Sequence, residues 1–361
     1  MRIDLIAGAR PNFIKASPII KKMDKLDIEN IVIHTGQHYD HNMSQQFFDE
    51  LGIRKPDYNL EVSGGSNSHQ VANVMIGCEK IFNEINPDLV IVYGDVNGCM
   101  AASLVAHNMN IRLAHVESGL RSNDMNMPEE LNRIIADKLS DIFFVTCRSA
   151  IINLKSERLW TRDNCHFVGN TMIDSLVEFT TKFNKSKITK KLKLKNKKYA
   201  LITLHRPSNV DNKEDLQKMM DSIVEVSKKT KCVFPMHPRT KSNLNKFKLF
   251  EKYDNIKSLV LIDALGYIDF MSLQRNSKFI ITDSGGVQEE SSFFNVPCLT
   301  LRDNTERPVT LSNGTNKLIG CNYDNLLKHV ESINYDKICK IDKWDGKSSS
   351  RIIQVLKKEI I

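Results

Sequence analysis

Residues 279–290 read Phe-Ile-Ile-Thr-Asp-Ser-Gly-Gly-Val-Gln-Glu-Glu and give the strongest local indication of the fold class. An apolar run, a Ser284-Gly285-Gly286 turn and a helical pattern are typical of a parallel strand that leads directly into a helix. Such a turn directs backbone N–H groups and the positive end of the helix dipole at an anion. We therefore expect the turn to bind a diphosphate and Glu290, one helical turn later, to accept the hydroxyls of a ribose. The alternative is a tight turn followed by a solvated glutamate pair.

Short apolar runs alternate with helical patterns along the whole chain. Such a pattern is typical of parallel sheets that helices cover on both faces. It starts afresh near residues 168–172 without a linker rich in Pro, Gly or Ser. The sequence thus predicts an α/β fold of two doubly wound, Rossmann-like domains that face each other across a cleft. We expect domains at 1–168 and 169–348, with a last helix at 349–361 able to pack back on the first domain. The predicted strands are Ile3–Ala7, Ile31–His34, Leu89–Tyr93, Arg112–Val116, Ile142–Val145, Ala200–Thr203, Lys231–Phe234, Leu259–Ile262, Phe279–Thr282 and Pro297–Leu301.

Composition is ordinary for a soluble globular protein. The 361 residues are 41% hydrophobic and 26% charged, and about 150 residues per domain suggests two domains. No apolar run approaches the roughly 20 residues of a membrane span, and no apolar core follows the first residues, so neither a membrane protein nor a signal peptide is expected. Eight scattered cysteines without a CxxC pair indicate reduced thiols in a cytoplasmic protein.

The net charge of +8 is concentrated in one segment. Nine lysines lie between Lys182 and Lys198, which indicates either a patch for nucleic acid or anionic lipid, or a solvated surface. Only Phe183 and Tyr199 are interleaved as aromatic residues, and no nucleic-acid-binding motif is present, so the solvated surface is favoured. We expect neither nucleic acid nor a membrane as a partner.

Polar side chains follow several predicted strands of the first half, where ligands of open α/β sheets bind. Arg10 and Lys15 follow the first strand, and the two cations suit either a phosphate or solvent. A G-x-G-x-x-G fingerprint is absent there, so no dinucleotide cofactor is expected. Asp95 and Glu117 come after two later strands, and Glu129 stands in the first turn of a helix. Helix capping is an alternative role for Asp95 and Glu129.

Histidine and arginine residues occupy the corresponding places in the second half. His205 follows the restarted strand, where it suits a proton carrier, a phosphate contact or a structural hydrogen bond to a loop. His237 and Arg239 repeat this pattern after the next strand. Arg307 lies in a polar loop after a later strand, within reach of a phosphate or a sugar.

One cluster of metal-ligand residue types lies near the second strand. His34, His38 and His41 occur with Asp40 within eight residues. Three histidines at this spacing would share a helix face, but Gly36 and the preceding strand favour a loop. No metal site is expected.

A series of short motifs runs along the chain in a fixed order. They are Gly8-Ala9-Arg10-Pro11 with Lys15, Thr35-Gly36-Gln37-His38, Gly94-Asp95, His115-Val116-Glu117-Ser118-Gly119-Leu120-Arg121, Pro128-Glu129-Glu130-Leu131-Asn132-Arg133, Gly169-Asn170-Thr171, His205-Arg206, Asp283-Ser284-Gly285-Gly286-Val287-Gln288-Glu289-Glu290 and Thr305-Glu306-Arg307-Pro308. Over residues 1 to about 320 this series resembles the non-hydrolysing UDP-N-acetylglucosamine 2-epimerases. The resemblance implies a GT-B architecture, a UDP-sugar between the two domains, no cofactor and a homodimer.

The resemblance also implies roles for individual residues. The positions that the family uses for substrate binding or catalysis correspond to Arg10, Lys15, Asp95, Glu117, Glu129 and His205. The positions that hold the phosphate and the ribose correspond to Ser284, Gly285, Gly286 and Glu290. Two further positions, Phe270 and Arg307, correspond to residues that contact the nucleotide. The implied reaction removes the C2 proton of the sugar as UDP leaves C1, and returns both with C2 inverted. We hypothesise that Asp95 or Glu117 is the base and Glu129 the partner acid. Three neighbouring carboxylates would titrate as a coupled set.

Other functions share parts of this pattern. Relatives that act on UDP-diacetamido-uronates, or that hydrolyse the product, share most of the motifs. A GT-B glycosyltransferase or a non-catalytic UDP-sugar sensor shares the nucleotide-binding part, but the three carboxylates argue against both. The chain also departs from the family pattern. Ser208-Asn209 replaces a glutamate usually found after His-Arg, and His237-Pro238-Arg239 departs from a common His-x-Asn. These departures bear on the family's second, activating UDP-sugar site.

Overall fold

The computed structural model describes residues 2–8, 10–36, 48–321 and 323–359, apart from the side chains of residues 10 and 359. The chain forms two compact units. The first unit consists of Met1–Glu178 together with Asp342–Ile361, and the second of Phe179–Ile341. Each unit is built around one parallel sheet.

The sheet of the first unit has seven strands in the order β3-β2-β1-β4-β5-β6-β7. The order reverses at β1, because the chain first winds toward β3 and then returns to build outward from β4. All pairings are parallel. The strands are β1 (Ile3–Ala7), β2 (Asn30–His34), β3 (Tyr58–Asn59), β4 (Leu89–Tyr93), β5 (Arg112–Val116), β6 (Ile142–Val145) and β7 (Cys165–Phe167).

The sheet of the second unit has six strands in the order β10-β9-β8-β11-β12-β13. Its pairings are parallel as well, and its order reverses at β8. The strands are β8 (Tyr199–Thr203), β9 (Lys231–Met236), β10 (Leu259–Asp263), β11 (Phe279–Thr282), β12 (Cys298–Thr300) and β13 (Asn316–Leu318).

Helices connect these strands throughout the described part of the chain. Their bounds are Arg10–Lys25, Asn67–Ile85, Asn97–Asn108, Pro128–Leu139, Arg148–Ser156, Thr171–Lys185, Ile188–Lys191, Pro207–Val210, Lys213–Lys229, Pro238–Lys246, Phe250–Asp254, Tyr267–Asn276, Gly285–Phe293, Pro308–Ser312, Leu326–Glu331 and Ser348–Glu359, with a 3₁₀ turn at Tyr323–Asn325.

Successive residues of β8 belong to two different hydrophobic clusters. Ala200 and Ile202 pack in a cluster with Phe234, whereas Tyr199 and Leu201 pack in a second one. Because side chains of a strand alternate between the two faces of a sheet, both faces of this sheet are covered. In the first unit, every residue of β1 and β4 is buried. The continuous apolar runs of the sequence therefore become central strands, and the predicted doubly wound α/β class is confirmed.

All ten predicted strands are present, with bounds within two residues of those expected. Three further strands, β3, β7 and β13, have two or three residues each. Each of them is the outermost strand on its side of a sheet, and such short runs leave little apolar pattern in a sequence.

The division between the units falls inside helix Thr171–Lys185, and residues from Asp342 onward return to the first unit. Helix Ser348–Glu359 contacts helix Arg10–Lys25 in that unit. The buried carboxylate of Asp174 accepts hydrogen bonds from the backbone N–H groups of Ser348 (3.0 Å) and Ser349 (2.7 Å). The observed units thus differ at both ends from the expected domain 169–348.

The nine lysines between Lys182 and Lys198 are all exposed, as expected for a solvated surface. The eight cysteines are free thiols. In the described part of the chain, no helix is both long and apolar enough to cross a membrane.

Candidate active site

A buried ion pair lies beyond the carboxyl ends of β1 and β5. Nζ of Lys15, on helix Arg10–Lys25, lies 2.5 Å from Oε2 of Glu117, and the two side chains are only 5% and 2% exposed. Oε1 of Glu117 is also buried and has no hydrogen-bond partner among the described residues. A β-carbon at Gly94 would lie 3.3 Å from Nζ of Lys15 and 3.4 Å from Oε2 of Glu117. The sequence predicted that Lys15 contacts a phosphate or solvent. In the structure Lys15 pairs with the carboxylate of Glu117.

Asp95 and Glu129 line one pocket of about 350 Å³ in the first unit. The pocket is also lined by amide side chains, namely Asn67, Gln70, Asn97 and Asn132. Among its described lining residues there is no lysine or arginine. A pocket of amides and carboxylates suits a ligand rich in hydroxyl and amide groups, because each of these groups can form hydrogen bonds there.

Helix Pro128–Leu139 positions Asp95 through two side chains. Asn132 donates from Nδ2 to the backbone oxygen of Asp95 (2.9 Å) and to Oδ1 of Asn97 (3.1 Å). Arg133 forms an ion pair with the Asp95 carboxylate and a second one with Glu130 (2.6 Å). Glu130 in turn accepts hydrogen bonds from the backbone N–H groups of Ser122 and Asn123. Asp95 is therefore held by the helix that carries Glu129.

A second buried network lies beneath these residues. Nδ1 of His115 lies 2.7 Å from Oδ1 of Asp137, and its Nε2 lies 2.8 Å from the backbone oxygen of Gly94. Both side chains are fully buried, and Arg121 contacts the other carboxylate oxygen of Asp137 at 2.7 Å. Burial alone would lower the pKa of His115, but interactions with Cys99 and Asp137 outweigh it and raise that pKa well above its ordinary value.

In the second unit, the buried carboxylate of Asp283 organises the end of β8. It accepts hydrogen bonds from the backbone N–H groups of His205 (3.0 Å) and Arg206 (2.8 Å) and from Nδ2 of Asn209 (2.9 Å). The ring of His205 lies 5.1 Å from that of His237. Burial lowers the pKa of His205, and although Asp283 opposes this, nearby arginines lower it further. The surroundings of His205 therefore favour its neutral form.

The Ser284-Gly285-Gly286 turn leads into helix Gly285–Phe293, as predicted. A β-carbon at Gly285 would lie 2.6 Å from a terminal guanidinium nitrogen of Arg307, so any larger residue would displace that side chain. Glu289 and Glu290 are 2% and 6% exposed, which rules out the alternative of a solvated pair. Glu290 accepts a hydrogen bond from Nε2 of Gln274 (2.8 Å).

Arg307 lies in a buried cluster of opposite charges next to this turn. Its Nε lies 2.9 Å from Oε2 of Glu289, and it also pairs with Glu306. Arg302 contacts the other oxygen of Glu306 at 2.9 Å. The sequence predicted that Arg307 contacts a phosphate or a sugar. In the structure its guanidinium forms ion pairs with the carboxylates of Glu289 and Glu306. Phe270 is half-buried and packs on an apolar cluster of the same unit.

Several predicted residues lie outside the described part of the chain: the side chain of Arg10, and residues Gln37, His38, Asp40 and His41. His34 has a structural environment. Its Nδ1 lies 3.1 Å from Oδ1 of Asn59, and its ring stacks on Phe13 at 5.0 Å. Burial lowers the pKa of this histidine.

Three positioning residues were not predicted, namely Arg133, Asp137 and Asp283. Asp283 precedes the Ser-Gly-Gly turn, and an acid at the end of an apolar strand was a signal for it. Arg133 belongs to the Pro128–Arg133 motif, but nothing in the sequence indicated that it lies next to Asp95. Asp137 gave no signal, because its partner His115 lies 22 residues away on another element.

Comparisons with known proteins show the family of this chain. A sequence profile described as "UDP-N-acetylglucosamine 2-epimerase" matches residues 21–357. The UDP-N-acetylglucosamine 2-epimerase of Methanocaldococcus jannaschii is 41% identical over 362 residues, 99% of each chain. A UDP-2,3-diacetamido-2,3-dideoxy-D-glucuronate 2-epimerase of Pseudomonas aeruginosa is 37% identical, over 99% of this chain and 100% of that protein.

A crystal structure of the Methanocaldococcus jannaschii enzyme in complex with UDP-GlcNAc and UDP superimposes with a TM-score of 0.92 at 41% identity, over 99% of this chain and 100% of that one. Fold and site therefore define a GT-B-like α/β enzyme of the isomerase class. The chain belongs to the UDP-N-acetylglucosamine 2-epimerase family.

Proposed function

We propose that the protein interconverts UDP-N-acetylglucosamine and UDP-N-acetylmannosamine without a cofactor and without net hydrolysis. One observation carries the proposal. Asp95 and Glu129 line the same pocket, and Gly94, the chain neighbour of Asp95, lies against the buried carboxylate of Glu117. Asp95 therefore shares a pocket with Glu129 and directly follows a residue that lies close to Glu117, and two relatives at 41% identity are named UDP-N-acetylglucosamine 2-epimerase.

The chemistry explains why more than one acid is needed. A base takes the C2 proton, the C–H electron pair forms the C1–C2 double bond, and the C1–O pair leaves with UDP. Inversion requires the proton to return on the opposite face, so a second group must supply it. Oε1 of Glu117 is dehydrated and unpartnered among the described residues, while Lys15 balances its charge at Oε2. We assign the role of base to Asp95 or Glu117, on one face of the sugar ring. We assign the role of acid to Glu129, on the opposite face.

UDP departs well only if negative charge on its diphosphate is stabilised. We assign this task to the amino end of helix Gly285–Phe293, with Ser284, Gly285 and Gly286. His205, at the end of β8, would contribute a hydrogen bond to the departing diphosphate. Glu290 is assigned to the ribose. We further propose that Phe270, Arg307 and Arg10 contact the nucleotide or its phosphates.

The charge of the pocket favours an N-acetylhexosamine over a uronate. Asp95 and Glu129 are both acids, and the described lining residues include no lysine or arginine to bind a sugar carboxylate. A uronate such as the one named for the Pseudomonas relative would meet like charges. The amide side chains of Asn67, Gln70 and Asn97 suit hydroxyl and acetamido groups instead.

Proton NMR of UDP-GlcNAc incubated with the protein in D2O tests the proposal. We expect deuterium at C2 and the appearance of UDP-ManNAc. Free ManNAc with UDP would indicate a hydrolysing enzyme, and turnover only with an added acceptor would indicate a glycosyltransferase. Binding without exchange would indicate a sensor, and turnover of a diacetamido-uronate alone would contradict the charge argument. We also propose a cytoplasmic homodimer, which light scattering of the purified protein and cell fractionation test.

A further inference from the structure

His115 lies on β5, two residues before Glu117. It is fully buried, and both ring nitrogens face hydrogen-bond acceptors: the Asp137 carboxylate at Nδ1 and the Gly94 carbonyl at Nε2. The Gly94 carbonyl carries no hydrogen, and the Asp137 carboxylate is held in its ionised form by Arg121 at 2.7 Å and by the Gly119 N–H. With two acceptors as partners, both ring nitrogens are protonated when both contacts are hydrogen bonds. The geometry therefore favours an imidazolium ion in the core.

The two acceptors belong to the two turns that carry the proposed acids. Gly94 directly precedes Asp95 and adopts a left-handed φ of 66°. On the other side, Oδ2 of Asp137 accepts a hydrogen bond from the backbone N–H of Gly119 (3.0 Å), two residues after Glu117. Glu117 has a φ of 75°, a conformation that costs a non-glycine residue energy and persists only when its surroundings enforce it.

We propose that His115 is a positioning residue of the epimerase: its doubly protonated ring, joined to Asp137, fixes the turns that hold Asp95 and Glu117. This inference rests on the proposed function above. The ring acts through the backbone at Gly94 and Gly119 and touches no substrate. A displacement of either carboxylate by about 1 Å would cost on the order of 100-fold in rate.

Other groups around the ring agree with a buried cation. Cys99, on helix Asn97–Asn108, donates from Sγ to the same Gly94 carbonyl at 3.2 Å. Asp137 on helix Pro128–Leu139 supplies the counter-charge, and Arg121 from the turn after β5 shares it. Burial and, to a lesser extent, the charge of Asp137 raise the pKa of Cys165 on β7 to about 11. Arg121 is itself balanced by Glu157 (2.7 Å).

Nitrogen-15 NMR of histidine-labelled protein tests the protonation state, with His115→Gln to assign the signal. We expect both ring nitrogens of His115 to remain protonated at pH 8. A signal from a neutral ring with one protonated nitrogen would overturn the inference, whatever the enzyme does. The measurement is made on the wild-type protein, and if His115→Gln fails to fold, correlation of the ring signals with the backbone of His115 supplies the assignment instead.

Kinetics test the positioning role. In His115→Gln we expect kcat to fall about 100-fold, while KM for UDP-GlcNAc stays within about threefold. Asp137→Asn keeps the His115 ring but removes its negative counter-charge, which lowers the pKa of the ring. His115 then loses its proton at a lower pH, and we expect the alkaline limb of the pH profile of kcat to move to lower pH as well. A purely structural role would not move that limb.

The control is Asp174→Asn, which removes another buried carboxylate that accepts backbone N–H groups in the same unit. We expect a comparable loss of stability but wild-type kcat and pH profile. If folded His115→Gln keeps wild-type kcat, or if Asp137→Asn leaves the alkaline limb in place, the inference is wrong. If the wild-type protein itself shows no exchange at C2, the proposed function fails instead.

Discussion

Lys15 and Glu117 lie 102 residues apart in the sequence and form an ion pair of 2.5 Å with both side chains buried. The same helix carries a second pair of this kind, Lys21 with Glu178, also at 2.5 Å but with side chains that are 24% and 42% exposed. The two pairs have the same chemistry and opposite environments. A buried pair is costly to break because one charge is left without solvent, whereas an exposed pair is not.

We expect Lys15→Met to lower the free energy of unfolding by about 3–5 kcal/mol, since Glu117 is left as an unpaired buried charge. Lys21→Met should cost less than about 1 kcal/mol. Urea denaturation of both variants measures the difference. Equal losses for the two variants would contradict a buried Lys15–Glu117 pair.

The double variant Lys15→Met with Glu117→Gln separates stability from catalysis. Because it removes both charges, we expect it to regain most of the stability that Lys15→Met loses. Turnover should remain at background, since Glu117 is a proposed proton carrier. The NMR exchange assay measures this. Near wild-type turnover would exclude Glu117 from the reaction.

Asp283→Asn should destabilise the protein and weaken UDP-GlcNAc binding together. The carboxylate accepts hydrogen bonds from the backbone of His205 and Arg206 and from Asn209, and an amide cannot satisfy all of these donors. We expect a loss of about 3 kcal/mol in the free energy of unfolding. Calorimetric titration with UDP-GlcNAc measures the affinity. Asp211→Asn, which breaks an exposed pair with Arg239, is the control and should change both quantities little.

Gly285→Ala should weaken binding of UDP without unfolding the protein. The added carbon would lie 2.6 Å from Arg307 and 2.7 Å from Glu306, so the buried charge cluster must shift next to the proposed diphosphate site. We expect an affinity loss of about tenfold, or 1.4 kcal/mol. Gly77→Ala is the matched control, because its new carbon would meet only the flexible end of Leu60 at 2.7 Å. Unchanged UDP affinity in Gly285→Ala would argue against a diphosphate at this turn.

The burial of Asp4 should make the free energy of unfolding depend on pH. Both of its carboxyl oxygens are buried and lack a partner among the described residues, and burial raises its pKa from 3.8 to about 7. Between these values the folded state holds a proton that the unfolded chain releases, so stability falls as pH rises from about 4 to about 7. Asp4→Asn should remove this fall and stabilise the protein at pH 8 by up to about 4 kcal/mol. Thermal melts at pH 4 and pH 8, with Asp88→Asn as a surface control, measure the effect.

The predictable part of the fold was the part with a strong apolar pattern. Strands β1, β4 and β11 are buried at every residue, and each was predicted with its observed bounds. Strand β13 has three residues, one of them exposed, so its pattern is too short to detect. The sequence allowed a last helix at 349–361 to pack back on the first domain, but not a return of the chain from Asp342 onward, because that contact depends on Asp174 accepting backbone groups more than 170 residues away.

The site divides in the same way. Residue types at strand ends could be predicted, because open α/β sheets bind ligands there. The partners of those residues could not. Neither Lys15 with Glu117 nor Arg307 with Glu289 follows from spacing along the chain, since each pair joins separate elements. His115 stood in a quoted motif beside Glu117, but its role becomes visible only when both of its ring nitrogens have identified acceptors.

The return of the chain to its first unit sets an order on biosynthesis. The second unit is continuous, so a nascent chain can complete it as soon as residue 341 has left the ribosome. The seven strands of the first unit are translated earlier. That unit still cannot be completed at this stage, because helix Ser348–Glu359, which packs on helix Arg10–Lys25, has not yet been translated. The half of the protein that is translated first is therefore the half that finishes folding last.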